Sequence, residues 1–232
     1  MRKSWKKYAG IFWCEWAKPF LMVALVVVTF RSAVADWNDV PTGSMKPTIL
    51  EGDRIFVNKM AYGVRFPLTP FRLLQWEGPK RGDIVVCFSP HDGRRLCKRV
   101  VGVPGDVVAY RNKCLYINGQ PMQYGDPGSV SIPKQYIDHA SQYQYSLENL
   151  DGVDHLVMTH SQSSRGLDFS PVELNSNEYF MMGDNRDESF DSRYFGVVLR
   201  KDILGKVNGV VMSLNPDRVY TPRWDRFLLG LQ

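Results

Sequence analysis

From Val40 onward the chain alternates short runs of apolar and β-branched residues with turn-forming residues, a pattern typical of β strands. A further apolar run, Leu115-Tyr-Ile, leads into Asn118-Gly119, which is a strong signal for a tight hairpin turn. Long helical periodicity is absent after residue 35. The pattern therefore predicts a mostly β domain, with strands at residues 54–57, 83–88, 96–103, 115–120 and 179–182.

The stretch from residue 123 to residue 177 is rich in Ser, Gln, Asp and Tyr and has little periodicity. We interpret it as long loops within an inserted subdomain that covers about residues 107–177.

An apolar run at residues 20–30 follows four basic residues, Arg2, Lys3, Lys6 and Lys7. The run is short for a membrane span, and the small-x-small segment at residues 33–35 resembles the end of a cleavable signal peptide. A span over residues 19–35 would contain one charge, Arg31, which can extend to the lipid headgroups. Both readings place the N-terminus inside and the chain after residue 35 outside.

Two further segments are unusually apolar for loops, at residues 66–76 and 224–229. Aromatic, leucine and basic residues occur together at membrane interfaces. Packing on the protein core would explain both segments equally well.

The net charge of +5 is modest and is spread along the chain, without the basic stripe and interleaved aromatics of a nucleic-acid-binding protein. We therefore expect no nucleic-acid partner. The chain has no C-x-x-C or H-E-x-x-H motif, and its histidines are scattered. We expect no metal and no cofactor.

Ser44 lies in a turn-like segment, Pro41-Thr-Gly-Ser-Met-Lys-Pro-Thr. A Gly-Ser pair between prolines is usually only a turn. The functional reading is that Gly43 lets the backbone bend so that the Ser44 hydroxyl projects into a cleft. A backbone N–H there, with the Thr42 hydroxyl as a second donor, would then face a developing oxyanion.

A serine nucleophile needs a base, and the best candidate is Lys98. If residues 83–88 and 96–101 form a hairpin centred near Asp92, Val86 lies opposite Lys98 and the lysine sits within an apolar strand face. Burial there would favour the neutral amine. A register slip of one residue would turn Lys98 outward and Arg99 inward. Lys59 is the second lysine candidate, and the four histidines, for which no pattern argues, are His91, His139, His155 and His160.

The same pairing places Cys87 directly opposite Cys97. A disulfide and a pair of reduced, buried thiols both fit this arrangement.

A dense polar loop follows the last apolar run, at residues 183–193. It supplies hydroxyls at Ser189 and Ser192 and an Asp191/Arg193 pair that can orient neighbouring groups.

Taken together and in this order, the segments at residues 41–48, 52–59, 81–106 and 183–193 resemble the type I signal peptidases, or leader peptidases. These are membrane-bound Ser/Lys endopeptidases that remove signal peptides from exported proteins after a small-x-small motif. The resemblance implies an antiparallel β-sheet catalytic domain over residues 36–232 with an inserted cap. It also implies that residues 1–18 are cytoplasmic and that residues 19–35 are kept as one N-terminal transmembrane helix in the inner membrane, with the catalytic domain on the periplasmic side.

By the same resemblance, Ser44 attacks the scissile carbonyl and neutral Lys98 is the general base. Ser189 would hydrogen-bond the lysine, and Asp191 and Arg193 would form a structural pair. Thr42 stands where the family commonly has a serine and would supply an oxyanion donor. The expected partners are signal peptides of exported preproteins and the lipid bilayer.

Two alternatives remain open at this point. A maturation peptidase for a pilin or conjugation protein would have similar motifs. A self-cleaving repressor also uses Ser/Lys chemistry, but it would need a DNA-binding region, and this chain has an apolar run at its N-terminus instead. A membrane-tethered β-rich binding protein would use Ser44 only as a turn residue. For an active enzyme, the small-x-small segment also predicts slow cleavage after Ala35 between molecules.

Overall fold

The computed structural model describes residues 12–67, 69, 71–128, 142–162 and 168–231, and for Cys14 the backbone alone. The four basic residues at positions 2, 3, 6 and 7 and His139 lie outside the described residues.

The N-terminal helix starts as a π-helical turn, Trp13–Ala17, and continues as α1, Lys18–Ala33. Pro19 has no N–H to donate. Directly before it the helix makes a π turn, in which the Lys18 N–H donates to Trp13 O, and the helix continues without the Pro19 hydrogen bond. Residues Glu15–Ala33 are long and apolar enough to cross a membrane. The helix therefore ends two residues before the predicted boundary at residue 35, and it begins before the predicted boundary at residue 19.

The rest of the described chain is built mainly from short strands. In chain order they are β1 (Ala35–Asp39), β2 (Asp53–Asn58), β3 (Gly63–Arg65), β4 (Arg72–Gln75), β5 (Ile84–Phe88), β6 (Arg95–Gly102), β7 (Val107–Arg111), β8 (Cys114–Ile117), β9 (Gln120–Pro121), β10 (Gln123–Gly125), β11 (Tyr143–Leu150), β12 (Val153–His160), β13 (Phe169–Glu173), β14 (Glu178–Met182), β15 (Val198–Leu199), β16 (Ile203–Asn215), β17 (Thr221–Pro222) and β18 (Leu229–Gly230). Among these residues the helices after α1 are single turns: Lys59–Tyr62, Arg186–Glu188, α2 (Ser192–Phe195), Arg200–Asp202, Pro216–Arg218 and Trp224–Arg226. The prediction of a mostly β fold behind one apolar helix is confirmed.

The strand pairs within the described sheets are antiparallel, as the family resemblance implies. The main sheet has the order β1-β2-β16-β5-β6-β14-β15, with β17 and β18 added on β16. Arg95 Nη1 at the start of β6 donates to Asn38 Oδ1 of β1 at 3.2 Å. Because β1 and β6 are four places apart in the sheet order, this contact shows that the sheet curls back on itself.

Between β6 and β14 the chain leaves the main sheet and forms two smaller sheets. One has the order β13-β7-β8-β9 and the other β10-β11-β12. The predicted inserted subdomain at about residues 107–177 includes these strands, and its status as a separate cap stays a prediction. Asn118 and Gly119, both with positive φ, make the predicted turn between β8 and β9. The interpretation of residues 123–177 as long loops is wrong for the described part, because β11 and β12 form an eight-residue hairpin.

The register of the β5–β6 hairpin differs by one residue from the predicted pairing. Val85, not Val86, lies opposite Lys98, and Phe88 pairs with Arg95. The reason is the loop: the Ser89 N–H donates to Arg94 O at 2.8 Å, and Gly93 takes a positive φ. This closure leaves four residues in the loop, whereas a centre at Asp92 required an odd number.

The corrected register also separates the two cysteines that were predicted to face each other. Cys97 lies opposite Val86 and Cys87 opposite Leu96. The thiols therefore project from opposite faces of the sheet, and both are free. A disulfide between Cys87 and Cys97 is incompatible with this arrangement.

The end of α1 is tied to the peptidase body through the buried Asp36. Its Oδ1 accepts hydrogen bonds from Arg31 Nε and Nη2 at 3.1 and 2.7 Å. Lys59 Nζ donates to Asp36 Oδ2 at 3.2 Å and to Arg31 O at 2.7 Å. Lys59, the second lysine candidate, therefore belongs to this junction and not to the surroundings of Ser44.

The small-x-small segment at residues 33–35 is part of the same junction. Ala33 is the buried end of α1, and Ala35 pairs with Asn58 in β1. A peptidase needs its substrate as one extended, unpaired segment. Because Ala33 is helical and buried and Ala35 is already paired in the sheet, the structure argues against the predicted cleavage after Ala35.

Both apolar loop segments noted in the sequence are exposed, so the core-packing explanation fails for most of their large side chains. Phe71 and Leu74 in the β3–β4 ribbon are 73% and 62% exposed, and Trp224 and Leu228 near the C-terminus are 74% and 83% exposed. Contiguous exposed apolar surface of this kind marks an interaction site.

Candidate active site

Ser44 lies in the connection between β1 and β2, which is fixed to the core on both sides of the serine. Before the serine, Val40 is buried and its N–H donates to Asp53 O at 2.9 Å. After it, Met45 and Ile49 are almost completely buried, and the Ile49 N–H donates to Met45 O at 2.9 Å. Ser44 O accepts from the Asn185 N–H at 3.1 Å. The loop therefore has little freedom, and the Ser44 side chain has one defined direction.

Lys98 reaches Ser44 from β6. Its Nζ lies 2.5 Å from Ser44 Oγ, and the lysine is 2% exposed. Across the hairpin it faces Val85, and along β6 it shares a face with Leu96 and Val100. The predicted apolar surroundings on β6 are confirmed, while β5 contributes Val85 and Cys87 in place of Ile84 and Val86.

Burial lowers the pKa of Lys98 below the ordinary lysine value. The Asp191 carboxylate acts in the opposite direction, and Arg193 in the same direction as burial. Because Arg193 Nε and Nη2 both bond Asp191 at 2.8 Å, most of the carboxylate charge is neutralised locally. The result is a lysine for which the neutral amine is favoured.

The loop at residues 183–193 packs directly on the Ser44 segment. A side chain at Gly183 would place its Cβ 2.3 Å from Ser44 O and 2.3 Å from Ser189 Oγ, so only glycine allows this approach. The Gly183 N–H donates to Asp191 Oδ2 at 3.0 Å. The Asp191/Arg193 ion pair therefore fixes the loop at residues 183–193 against Ser44.

The two predicted supporting hydroxyls differ in their surroundings. Ser189 Oγ is buried and has no hydrogen-bond partner in the described structure, so the expected bond from Ser189 to Lys98 is not formed here. Thr42 is exposed two residues before Ser44. The Ser192 hydroxyl accepts from the Met181 N–H at 2.9 Å and so supports β14.

The described histidines have partners other than Ser44. His91 packs edge-on against Phe190. His160 Nε2 lies 2.8 Å from Glu188 Oε1. His155 is buried, and its Nε2 lies 3.1 Å from Glu148 Oε2. Burial is the main cause that lowers the pKa of His155, and the positive charge of Arg99 is the second.

Arg99 and Asp184 form a buried ion pair that sequence reasoning missed. Arg99 Nε and Nη2 bond the two oxygens of Asp184 at 2.9 and 2.8 Å, and both side chains are almost fully enclosed. Thr48 Oγ1 donates to the same carboxylate at 2.5 Å, which ties the Ser44 segment to the loop at residues 183–193. Although burial opposes ionisation, the Arg99 guanidinium holds the pKa of Asp184 below its usual range.

A second buried pair, Glu148 with Arg186, connects β11 of the inserted part to the same loop. Arg186 Nη1 donates to Glu148 Oε1 at 2.8 Å, Arg186 Nη2 bonds Oε2, and Tyr124 also donates to this carboxylate. Burial by itself would raise the pKa of Glu148, but the Arg186 guanidinium holds it well below its usual range. This contact could not be predicted, because Glu148 and Arg186 each stand alone among polar residues and lie 38 positions apart in the sequence.

An open strand edge lies beside the Ser44–Lys98 pair. Among the described strands, β14 pairs with β6 only from Arg99 to Gly102, so residues 95–98 have a neighbour on the β5 side alone. An extended peptide can add to such an edge through backbone hydrogen bonds. The arrangement thus combines a serine hydroxyl, a desolvated amine and a place for an extended chain.

Comparison with known proteins adds an independent line of evidence. The family model described as "Signal peptidase, peptidase S26" matches residues 13–212. A "Signal peptidase I" of Pseudomonas fluorescens is 36% identical over 225 residues, which is 91% of this chain and 77% of that protein. A "Signal peptidase I" of Pseudomonas aeruginosa PAO1 is 36% identical over 218 residues, covering 86% of this chain and 72% of the relative.

Among solved structures, a crystal structure of a signal peptidase I from Enterococcus faecalis V583 is 28% identical. It covers 56% of this chain and 97% of that chain, with a TM-score of 0.35.

Proposed function

Because the chain belongs to the signal peptidase family, peptidase S26, it is a serine peptidase that cleaves signal peptides, and we propose that Ser44 is its nucleophile and Lys98 its general base. The observation that carries this proposal is the 2.5 Å distance between Ser44 Oγ and the Nζ of a lysine that is 2% exposed. A neutral amine at that distance can take the serine proton as Oγ attacks the scissile carbonyl.

The remaining steps follow from the same pair. The Lys98 ammonium returns its proton to the departing amine of the substrate, which leaves an acyl group on Ser44 Oγ. Neutral Lys98 then takes a proton from a water molecule that attacks the ester, and Ser44 is regenerated. The Ser44 N–H, which donates to no described residue, and the exposed Thr42 hydroxyl are the proposed donors to the oxyanion.

The buried side chains around the pair have supporting roles in this proposal. Asp191 and Arg193 hold the loop at residues 183–193. We assign Ser189, whose buried hydroxyl has no partner in the described structure, as the hydrogen-bond partner of Lys98 when substrate is bound. The apolar strand face that carries Lys98, with Val85 across the hairpin and Leu96 and Val100 on β6, borders the reacting pair. It favours small apolar substrate side chains, which supports cleavage after a small-x-small motif.

We further propose that α1 anchors the protein in the inner membrane, with the N-terminus in the cytoplasm and residues 36–232 on the periplasmic side. The exposed apolar surface of α1 and the length of Glu15–Ala33 support a span. The basic residues at positions 2–7 support an inside N-terminus.

Incubating a purified preprotein with the enzyme is expected to release the mature protein, with its new N-terminus directly after a small-x-small motif. Ser44→Ala should release none under the same conditions, since no nucleophile remains. Mass spectrometry of the products identifies the cut. Cleavage at the same bond by Ser44→Ala would contradict the assignment of Ser44, and cleavage restricted to a pilin-type precursor would favour a maturation peptidase.

Protease added to spheroplasts is expected to digest the peptidase domain, because α1 is proposed to place that domain outside. Immunoblots for a C-terminal epitope and for a cytoplasmic marker give the result and its control. Protection of the epitope until detergent is added would reverse the proposed topology.

A further inference from the structure

Basic side chains converge where the β3–β4 ribbon meets the turn after β15. Arg65 Nη2 and Arg72 Nη2 both donate to Ile203 O, at 2.5 and 2.6 Å. Arg72 Nη2 also donates to Arg200 O at 3.1 Å. Lys201 follows directly in the chain, so four cationic side chains share one region.

Within the described part of the chain, these four cations have no carboxylate partner in a salt bridge. The hydrogen bonds of the three guanidinium groups go to backbone carbonyl oxygens. Asp202 is near enough to act on Arg65. Asp202 forms no salt bridge with these cations among the described residues. Burial, followed by the charges of Arg65 and Arg200, lowers the pKa of Arg72 to about 10.

The cluster borders a cavity of 380 Å³ on the protein surface. The cavity is lined by Arg72, Gln75, Asn177, Leu199, Arg200 and Lys201. Guanidinium, ammonium and amide groups supply hydrogen-bond donors, and a volume of this size accommodates a small ligand group. The chemistry fits a phosphate, for which arginine is a preferred partner.

The ribbon that carries two of these arginines starts close to the end of the membrane helix. The Lys59 N–H donates to Val34 O at 3.0 Å, directly after α1. One 3₁₀ turn, Lys59–Tyr62, separates this bond from β3, which is about 8 Å at the rise of that helix. The exposed Phe71 and Leu74 belong to the same ribbon.

We propose that this cavity binds the phosphate of an anionic phospholipid while the apolar side chains of the β3–β4 ribbon enter the membrane interface. The residues that line the cavity are distinct from those placed around Ser44 and Lys98, and the site would hold the peptidase domain against the outer leaflet. Cations next to exposed apolar side chains are the combination that anionic lipid surfaces attract. The inference rests on the proposed membrane anchoring.

The test uses the full-length Ser44→Ala protein in a nonionic detergent, titrated with short-chain phosphatidylglycerol or phosphatidylcholine and followed by native mass spectrometry. We expect the Kd for phosphatidylglycerol to be at least about tenfold lower than the Kd for phosphatidylcholine. Lys201→Glu should raise that Kd by about tenfold, since it removes one attraction and adds a repulsion of similar size. Lys201 is exposed, so this change does not threaten the fold. The matched control is Arg111→Glu, a reversal at an exposed position of β7 in the inserted part, which should change the Kd by less than about twofold.

Equal affinity for the two lipids, or equal effects of Lys201→Glu and Arg111→Glu, would overturn the proposal. Displacement of phosphatidylglycerol by inorganic phosphate at similar concentration would show a site for free phosphate and also overturn it. Turnover of a soluble signal peptide by the wild-type chain is measured in the same detergent. If the wild-type chain does not cleave the signal peptide, the proposed function is wrong. If it cleaves the peptide but shows no preference for phosphatidylglycerol over phosphatidylcholine, only the lipid site is wrong.

Discussion

Replacing Lys98 by methionine or by arginine is expected to lower kcat/KM for a short signal-peptide substrate by about 10²- to 10⁴-fold in both cases. Methionine fills the apolar pocket but has no basic atom. Arginine keeps the charge, yet its guanidinium does not deprotonate in the working pH range and so cannot accept the Ser44 proton. The equality of the two variants is the specific expectation, because a purely electrostatic role would spare arginine.

Lys59→Met is the matched control for these variants. Lys59 bonds Asp36 and Arg31 O at the end of α1, so its loss should leave substantial turnover of a soluble peptide. Retained turnover in Lys98→Met, together with its loss in a single histidine variant, would replace the Ser/Lys pair by Ser/His chemistry.

The largest expected effect on stability comes from the buried pair of Arg99 and Asp184. Arg99→Met leaves the Asp184 carboxylate enclosed without its guanidinium, which is expected to lower the free energy of unfolding by about 3–5 kcal/mol. Replacing both residues by apolar ones, as in Arg99→Met with Asp184→Leu, should recover much of this loss, because no unpaired charge is then buried. Urea denaturation in detergent, followed by tryptophan fluorescence, measures the change.

An exposed ion pair provides the comparison for that experiment. Arg54 bonds Asp39 at the protein surface, where the two side chains are 40% and 73% exposed, and Arg54→Met should cost less than about 1 kcal/mol. Similar losses for Arg99→Met and Arg54→Met would show that the buried pair does not have the energetic role assigned to it.

The local sequence pattern predicted four strands of the main sheet but not the others, among them the 13-residue β16. The runs that became β2, β5, β6 and β14 alternate or are continuously apolar, and Asn118-Gly119 marked its turn directly. The burial of Lys98 was also predictable, because Leu96 and Val100 flank it at the strand period of two. Strand β6 is central, and Lys98 and Arg99 are buried on its opposite faces. The only sequence signal for this was that apolar residues occupy both faces of the strand on either side of the two charges.

The errors have physical causes that local sequence does not contain. The β5–β6 register depends on whether the hairpin loop holds an even or odd number of residues, and the Ser89–Arg94 closure decided it. The strands β11 and β12 were hidden because buried polar residues such as Glu148 and His155 interrupt their apolar pattern. Their partner, Arg186, lies far away in the chain, and pairing at that separation has no periodic signal.

The measurement that tests the central proposal most directly is the pH dependence of kcat/KM for the wild-type enzyme on a short signal-peptide substrate. Only the neutral amine of Lys98 accepts the Ser44 proton, so kcat/KM should be low at acid pH and rise as the lysine loses its proton. Burial lowers the pKa of Lys98, and the rising limb should therefore have its midpoint well below the ordinary lysine value of about 10.4. A midpoint at that ordinary value, or one near about 6.5 that disappears in a histidine variant, would contradict the role proposed for Lys98.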